Sequence, residues 1–152
     1  MKKNQTREER RIERRAFYQE LSDRRQLLAE RLEEKEGVDR KLAYKLASGA
    51  ANLYVLLRKG CVTFHYLKEK ERTKRKAFGT LCEEASDDYA MALETMRERN
   101  PNYNEKAELD KLEQGLLTYY DLEKNGWRTF KVKNLLYVGE CTTSINKTYQ
   151  EL

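Results

Sequence analysis

The stretch Thr118–Phe130, TYYDLEKNGWRTF, predicts the fold of this chain more directly than any other part of it. Two short runs rich in aromatic and β-branched residues flank Asn125-Gly126, a dipeptide that favours tight turns between antiparallel strands. The stretch therefore predicts a β-hairpin. It also sets two tyrosines, a tryptophan and an arginine close together, either as part of a core or as part of a binding surface.

The register of this hairpin decides which side chains point inward. A two-residue loop at Asn125-Gly126 would put Asp121 on the same face as Phe130. A three-residue loop, Lys124-Asn125-Gly126, shifts the register by one residue and exchanges the faces. We prefer the three-residue loop because it separates apolar from mixed side chains more cleanly. It assigns Tyr120, Leu122, Phe130 and Val132 to the core face, and Tyr119, Trp127 and Lys131 to the outer face.

Three further segments have the pattern of strands. CVTFHYL (61–67) alternates apolar and polar residues, RTKRKAFGTL (72–81) follows as its partner, and NLLYV (134–138) is a short closing element. Only 39% of the residues are apolar. Five short strands with so few apolar residues are best closed into a small barrel, which hides the sheet edges.

Helices are predicted before the barrel and inside it. Thr6 begins a capping box for a charged helix that Gly37 ends. A second helix covers about Val38–Lys59. An acidic segment, 83–114, interrupts the strands with one helix capped by Ser86 and another that follows Pro101.

Parts of these segments resemble a known family. RKGCVTFHY (58–66), GTL (79–81) and TYYDLEKNGWRTFKVKNLL (118–136) are similar to the small Sm-like, SH3-type barrel proteins related to WYL domains, which occur in gut bacteria and their mobile elements. The resemblance covers about residues 57–82 and 115–138. It implies a barrel more firmly than a function, because one fold hosts many functions. Related WYL domains are regulatory modules that sense nucleic acid or nucleotide-like ligands, and Sm-like barrels commonly bind RNA or pair with one another.

The predicted fold class is α+β: a small SH3-like, Sm-like β-barrel of about five strands, with two N-terminal helices and an acidic helical insertion. The predicted division begins with a charged N-terminal helix (1–37). A barrel domain (38–138) follows, with a leading helix (38–59) and the helical insertion (83–114). A polar tail (139–152) ends the chain.

Charge is distributed unevenly along the chain, whose net charge is +5. Residues 58–79 hold 8 basic and 2 acidic residues, whereas residues 80–113 hold 4 basic and 10 acidic residues. The two blocks either neutralise each other inside the fold or leave a basic surface for a polyanion.

A basic strand beside an aromatic face predicts a nucleic-acid site, because rings stack on bases and cations hold phosphates. The structural alternative is that the helices or the acidic insertion cover Trp127 and Tyr119. The predicted ligand-binding residues are Arg72, Lys74, Arg75, Lys76, Tyr119, Trp127, Arg128 and Lys131.

Two other functions remain open. The first helix carries a narrow apolar stripe that is suited to docking on the barrel, on a second copy of the chain or on another protein. The barrel could also hold a nucleotide-like small molecule, as a sensor or scavenger encoded by a mobile element, if Trp127 and basic groups line a concave site. The docking stripe consists of Phe17, Leu21, Leu28 and Leu32.

No catalytic signature is present, so we expect no enzyme, metal or cofactor. The only histidine, His65, has Cys61 as its nearest possible co-ligand, and two ligands are too few for a zinc site. Neither a glycine-rich phosphate loop nor a nucleophile elbow occurs. Three cysteines, Cys61, Cys82 and Cys141, do not suggest a disulfide framework, and no apolar run is long enough to span a membrane. A cytoplasmic location is expected.

Overall fold

The structure is a computed structural model that describes residues 5–139 and 143–145. In that part of the chain, four α-helices precede or interrupt the strands of a six-stranded antiparallel sheet. This arrangement confirms the predicted α+β class. The elements in chain order are α1 (Arg7–Glu34), α2 (Arg40–Lys59), β1 (Cys61–Leu67), β2 (Lys74–Thr80), α3 (Asp87–Arg99), α4 (Glu105–Glu113), β3 (Leu116–Asp121), β4 (Gly126–Lys131), β5 (Leu135–Val138) and β6 (Thr143–Ser144).

Local signals determine where the two N-terminal helices begin and end. The Thr6 hydroxyl accepts a hydrogen bond from the Glu9 N–H at 3.1 Å, which confirms the predicted cap of α1. Gly37 adopts φ +68°, a left-handed conformation that suits glycine and lets the chain turn. The Asp39 side chain then accepts from the first amides of α2.

The sheet runs in the order β4-β3-β2-β1-β5-β6, so β1 lies between its hairpin partner β2 and the distant β5. The inner face of these strands carries a cluster of aromatic rings. Tyr66 stacks on Phe130 with ring centroids 4.4 Å apart, and Phe64 meets Tyr119 edge to face at 4.8 Å. The helix α2 packs against this core, to which it adds several leucines and alanines.

The β3–β4 hairpin differs from both registers considered in the sequence analysis. Tyr120 pairs with Trp127 and Asp121 pairs with Gly126, which leaves a four-residue loop. The cause lies in the loop itself, because the Asp121 carboxylate accepts from the N–H groups of Glu123 and Lys124 at 2.9 and 3.1 Å. Asn125 closes the loop at φ +51°.

This register overturns the predicted assignment of faces on β3, whereas Phe130 and Val132 point inward and Trp127 and Lys131 lie on the outer face as predicted. Tyr119 points into the core and is fully buried, whereas Tyr120 points outward beside Trp127. The two-residue loop had the correct parity, since Asp121 does share the inner face with Phe130.

The predicted polar tail, 139–152, lies partly within the described residues. Thr143–Ser144 pairs with β5, and Ile145 is buried beside α2 at Gly49. These three residues therefore belong to the folded domain. Gly139 is described as well, whereas residues 140–142, which include Cys141, and residues 146–152 lie outside the described residues.

None of the helices described in residues 5–139 combines the length and the apolar character needed to cross a membrane.

Candidate functional site

The acidic insertion covers one half of the outer sheet surface. Trp127 lies among three tyrosine rings, with centroid separations of 5.7 Å to Tyr89, 5.8 Å to Tyr103 and 5.7 Å to Tyr120. Glu108 holds this cluster to α2, because it accepts from the hydroxyls of Tyr103 and Tyr54, each at 2.8 Å. The structural alternative weighed for Trp127 is therefore the one observed: the insertion packs over it.

Tyr119 cannot stack on a ligand, because no part of its side chain is accessible. Its hydroxyl forms a hydrogen bond with the Tyr66 hydroxyl at 2.9 Å inside the barrel. Burial, followed by that hydrogen bond, raises the pKa of Tyr119 well above its usual range. The prediction that Tyr119 lies on the outer face was wrong, because the hairpin register is shifted.

Two of the predicted phosphate-binding arginines converge on a buried carboxylate. Arg128 Nε lies 2.6 Å from Asp121 Oδ2, and a guanidinium nitrogen of Arg75 lies 3.9 Å from the same atom. Asp121 is only 3% exposed. Burial alone would raise the pKa of Asp121, but the hydrogen bonds from Arg128 and from the two loop amides outweigh it and lower that pKa. Arg128 and Arg75 therefore have a structural role at the base of the hairpin.

The charge of Asp121 is expected to make stability depend on pH. At neutral pH, Asp121→Asn should lower the free energy of unfolding by about 1–2 kcal/mol, since the charge-assisted bond to a partly exposed arginine is lost while the loop acceptor remains. Because the folded-state pKa is lowered, the carboxylate stabilises above its unfolded pKa of about 4, and this contribution disappears as the pH falls through the folded value. Urea unfolding at several pH values checks this.

The Asp121→Asn variant and the unaltered protein should have the same free energy of unfolding in acid, where Asp121 is protonated. A stability difference that is constant with pH would show that packing, and not charge, explains the effect of Asp121→Asn.

Arg72 and Lys131 are also engaged within the chain. Lys131 Nζ lies 3.0 Å from Glu69 Oε1, and Asn134 donates to the other oxygen of Glu69 at 2.6 Å. Arg72 donates to the Asn134 side chain at 3.3 Å. These contacts join the β1–β2 turn to the chain just before β5.

The other half of the outer sheet surface is accessible and carries both lysines and aromatic rings. On β2, Lys74, Lys76 and Phe78 alternate with inward residues, and all three are exposed; Phe78 is 37% exposed. Across the sheet, Lys76 pairs with His65, and His65 pairs with Tyr137. We call the five residues Lys74, Lys76, Phe78, His65 and Tyr137 the lysine–aromatic face.

The side chains of this face are close enough to act together. The His65 and Tyr137 rings meet edge to face with centroids 5.5 Å apart, and Lys74 Nζ lies 5.5 Å from the centre of the Tyr137 ring. Half-buried aromatic rings next to ammonium groups can stack a base and neutralise a phosphate. Of the predicted site residues, this face keeps Lys74 and Lys76.

Sequence reasoning missed Phe78, His65 and Tyr137. The alternation within β2 places Phe78 on the same face as both lysines, so this residue was detectable. Tyr137 depends on the pairing of β5 with β1 and on an irregularity between His65 and Tyr66, which no local pattern shows.

Ion pairs join the acidic insertion to the two N-terminal helices. Arg58 on α2 lies 2.8 Å from Glu105 and 3.7 Å from Glu108. Arg24 on α1 pairs with Asp110 and with Glu113. Partial neutralisation between the two charged blocks therefore occurs through Arg58.

The predicted docking stripe on α1 is used inside the chain. Leu21, Leu28 and Leu32 are buried in the core, to which α2 and α4 also contribute, and Phe17 is half-buried next to Tyr54. The three leucines are therefore not a free docking surface for another protein, whereas Phe17 stays partly accessible.

Within residues 5–139 and 143–145, no group of three or more histidine, cysteine, aspartate or glutamate side chains is placed to hold a metal ion. Cys61 and Cys82 are free thiols.

One comparison with known proteins gives a match. A family model described as WYL_2, Sm-like SH3 beta-barrel fold, matches residues 50–136, which is more than half of the chain. The matched range begins within α2 and includes β1 to β4, both insertion helices and the start of β5. No curated protein and no solved structure matches the chain.

Proposed function

Because the chain belongs to the WYL_2 family of Sm-like SH3 β-barrels, we propose that it is a non-catalytic, regulatory module that binds single-stranded nucleic acid on its lysine–aromatic face. Binding would combine stacking on Phe78 and Tyr137 with phosphate contacts from Lys74 and Lys76, and it would read little sequence. The two free cysteines of the described residues suit the reducing cytoplasm.

The observation that carries the proposal is the position of two exposed lysines on β2 beside the exposed ring of Phe78 and the half-buried ring of Tyr137. Lys74 and Lys76 are two residues apart on β2, so their ammonium groups point to the same side of the sheet. Phe78 continues that row, and Tyr137 lies two strands away, on the other side of β1. A row of cations next to ring faces follows the alternation of phosphates and bases along a single strand.

Single strands suit this surface better than a duplex. In a duplex the ring faces of the bases are already stacked on each other, so Phe78 and Tyr137 would find only the phosphates to contact. Unpaired bases expose both their faces and their edges, and each stacked base contributes about 1–3 kcal/mol to binding.

The small-ligand alternative required an open concave site at Trp127. The rings of Tyr89, Tyr103 and Tyr120 occupy that position instead. The lysine–aromatic face therefore supports a polymer that lies along the sheet better than a small molecule enclosed by Trp127.

The test is to measure binding of labelled single-stranded DNA and RNA by fluorescence anisotropy over a range of salt concentrations. Replacing Lys74→Ala together with Lys76→Ala should weaken binding about tenfold at low salt and flatten its salt dependence, because each lost phosphate contact reduces the number of released counterions. Phe78→Ala should weaken binding by a similar factor of about ten and leave the salt dependence unchanged, because stacking releases no counterions.

The matched control is Lys131→Ala with Lys133→Ala, which removes the same charge from the neighbourhood of Glu69. Binding by the control should stay within about twofold of the unaltered protein, since these lysines do not belong to the face. Equal losses of nucleic-acid affinity in the two double variants would refute the assignment of the binding site to the lysine–aromatic face. If the unaltered protein bound no nucleic acid at low salt, the proposed function would be wrong.

A further inference from the structure

The first half of α1 extends past the folded body of the protein. From Arg7 to Glu20 every residue is exposed except Phe17, which is half-buried. Phe17 packs next to Tyr54 of α2, so the ten residues before it, Arg7–Ala16, form a projection about 15 Å long at 1.5 Å per residue. Such a helix buries little of its own surface, so its amino-acid pattern is not explained by packing within the chain.

The face of α1 that packs on the domain changes character along the projection. Phe17, Leu21 and Leu28 follow one another at spacings of four and seven residues and face the core. Towards the N-terminus the same face continues as Arg14, Arg10 and Arg7, at the helical spacings of three and four residues. The stripe is therefore apolar over the folded body and cationic beyond it.

These arginines line a groove of about 970 Å³ between the projection and the domain. Its other wall holds Arg58 from α2 and Glu105 from α4. The Arg58 guanidinium lies 5.5 Å from the centre of the Phe17 ring, which forms part of the apolar lining with Ala16. The groove thus combines four guanidinium groups with an aromatic surface.

A smaller hollow of about 230 Å³ shares Phe17 and Arg58 and continues the apolar surface to Tyr18 and Val55. Tyr18 is 46% exposed. The combined surface offers an apolar track of the kind that a helix-binding groove uses. Its charges are mixed, but Glu105 pairs with Arg58 and Glu20 pairs with Arg24. The excess positive charge of the groove therefore lies on Arg7, Arg10 and Arg14, which face one further carboxylate, Glu13.

We propose that this groove binds an acidic amphipathic segment of a partner protein. Carboxylates of the segment would pair with Arg7, Arg10 and Arg14, because a guanidinium binds a carboxylate through two parallel hydrogen bonds. An apolar side chain of the segment would lie on Phe17. This surface differs from the lysine–aromatic face and does not depend on nucleic-acid binding.

The carboxylates in the groove favour a peptide over a nucleic acid. Glu13, Glu20 and Glu105 lie among the arginines and would repel a continuous phosphate backbone. A helical peptide presents isolated carboxylates at intervals of three or four residues. These carboxylates can contact the arginines of the groove, while the glutamates of the groove face solvent or the amide groups of the peptide. Charge complementarity therefore selects an acidic peptide.

The probe for the test is a labelled amphipathic peptide of about five helical turns, built from Glu, Leu and Ala with the glutamates along one side. A second peptide with Gln in place of every Glu controls for charge. In the unaltered full-length chain, the acidic peptide should bind at low salt at least about tenfold more tightly than its Gln counterpart.

The decisive variants reverse two charges on opposite sides of the same helix. Arg10→Glu with Arg14→Glu places two carboxylates in the groove and should weaken binding of the acidic peptide about tenfold or more. Arg11→Glu with Arg15→Glu makes the same change in net charge on residues that do not line the groove, and it should change binding by less than about twofold. If charge reversal lowers the helix content measured by circular dichroism, Arg10→Gln with Arg14→Gln replaces it, with an expected loss of about threefold.

Three results would overturn the proposal: no binding of the acidic peptide, equal losses in the two reversed variants, or a larger loss of oligonucleotide binding than of peptide binding in Arg10→Glu/Arg14→Glu. The last result would assign the groove to nucleic acid. Peptide binding should be unchanged by Lys74→Ala with Lys76→Ala, so failure of the nucleic-acid proposal and failure of this one are separable.

Discussion

Gly79→Ala is expected to lower the free energy of unfolding by about 3 kcal/mol, at the upper end of the usual cost of overpacking a core. A Cβ atom at this position would lie 2.5 Å from Tyr119 Cδ2 and 3.0 Å from the Tyr120 carbonyl oxygen. The Tyr119 ring is fully buried and its hydroxyl is bonded to Tyr66, so it cannot move aside without disturbing the core. Urea unfolding followed by circular dichroism measures the loss.

Gly49→Ala is the matched control for this prediction. A Cβ atom there would also lie 2.5 Å from a side-chain atom, but that atom is the terminal Cδ1 of Ile145. The isoleucine can change its rotamer, and alanine in the middle of α2 gains about 1 kcal/mol of helix propensity over glycine. Gly49→Ala should therefore be close to neutral. Equal losses at the two glycines would contradict the role given to the Tyr119 ring.

Trp127→Ala is expected to destabilise the protein by about 3 kcal/mol, the lower end of the range for a buried tryptophan because Trp127 is only half-buried. The indole is the common neighbour of Tyr89 on α3 and Tyr103 on the α3–α4 connection. Its removal should loosen the insertion first. Hydrogen exchange should show faster exchange of the α3 amides in the variant than of the β1 and β2 amides.

Measurements of nucleic-acid affinity distinguish the role of Trp127 from that of the lysine–aromatic face. Trp127→Ala should leave the affinity within about twofold, whereas Phe78→Ala should reduce affinity with little loss of stability, because Phe78 is exposed. The reverse pattern, with Trp127→Ala abolishing binding in a stable protein, would restore Trp127 as the stacking residue.

Elements with local signals were predictable from the sequence. The Thr6 cap, the alternation in Cys61–Leu67 and the Ser86 cap each depend on neighbours along the chain, and each is confirmed. The hairpin was predicted but its register was not. The reason is that the Asp121 side chain bonds two loop amides and Arg128, and these contacts outweigh the preference of Asn125-Gly126 for a shorter loop.

The candidate site was predictable only in part, for the same reason. Lys74 and Lys76 belong to one strand, so their common face follows from alternation. Which aromatic side chains lie accessible next to these lysines depends on which half of the sheet the insertion covers. That choice depends on contacts between Trp127 and Tyr89, 38 positions apart in the sequence, which no periodicity encodes.

The stripe on α1 gives a further example of what a pattern leaves open. Its spacing predicted a docking face, and the structure shows that face in use, but by the chain's own α2 and α4. An amphipathic pattern identifies the side of a helix that will be buried and does not identify what buries it.

The ring cluster around Trp127 has a consequence for spectroscopy. The chain has a single tryptophan, and three tyrosine rings lie within 6 Å of it, centre to centre. Light absorbed by these tyrosines will be transferred to the indole, so the ratio of tyrosine to tryptophan emission reports whether the insertion is seated on the barrel. Because the lysine–aromatic face lies on the other half of the sheet, this native fluorophore can follow the seating of the insertion while a labelled oligonucleotide independently follows binding.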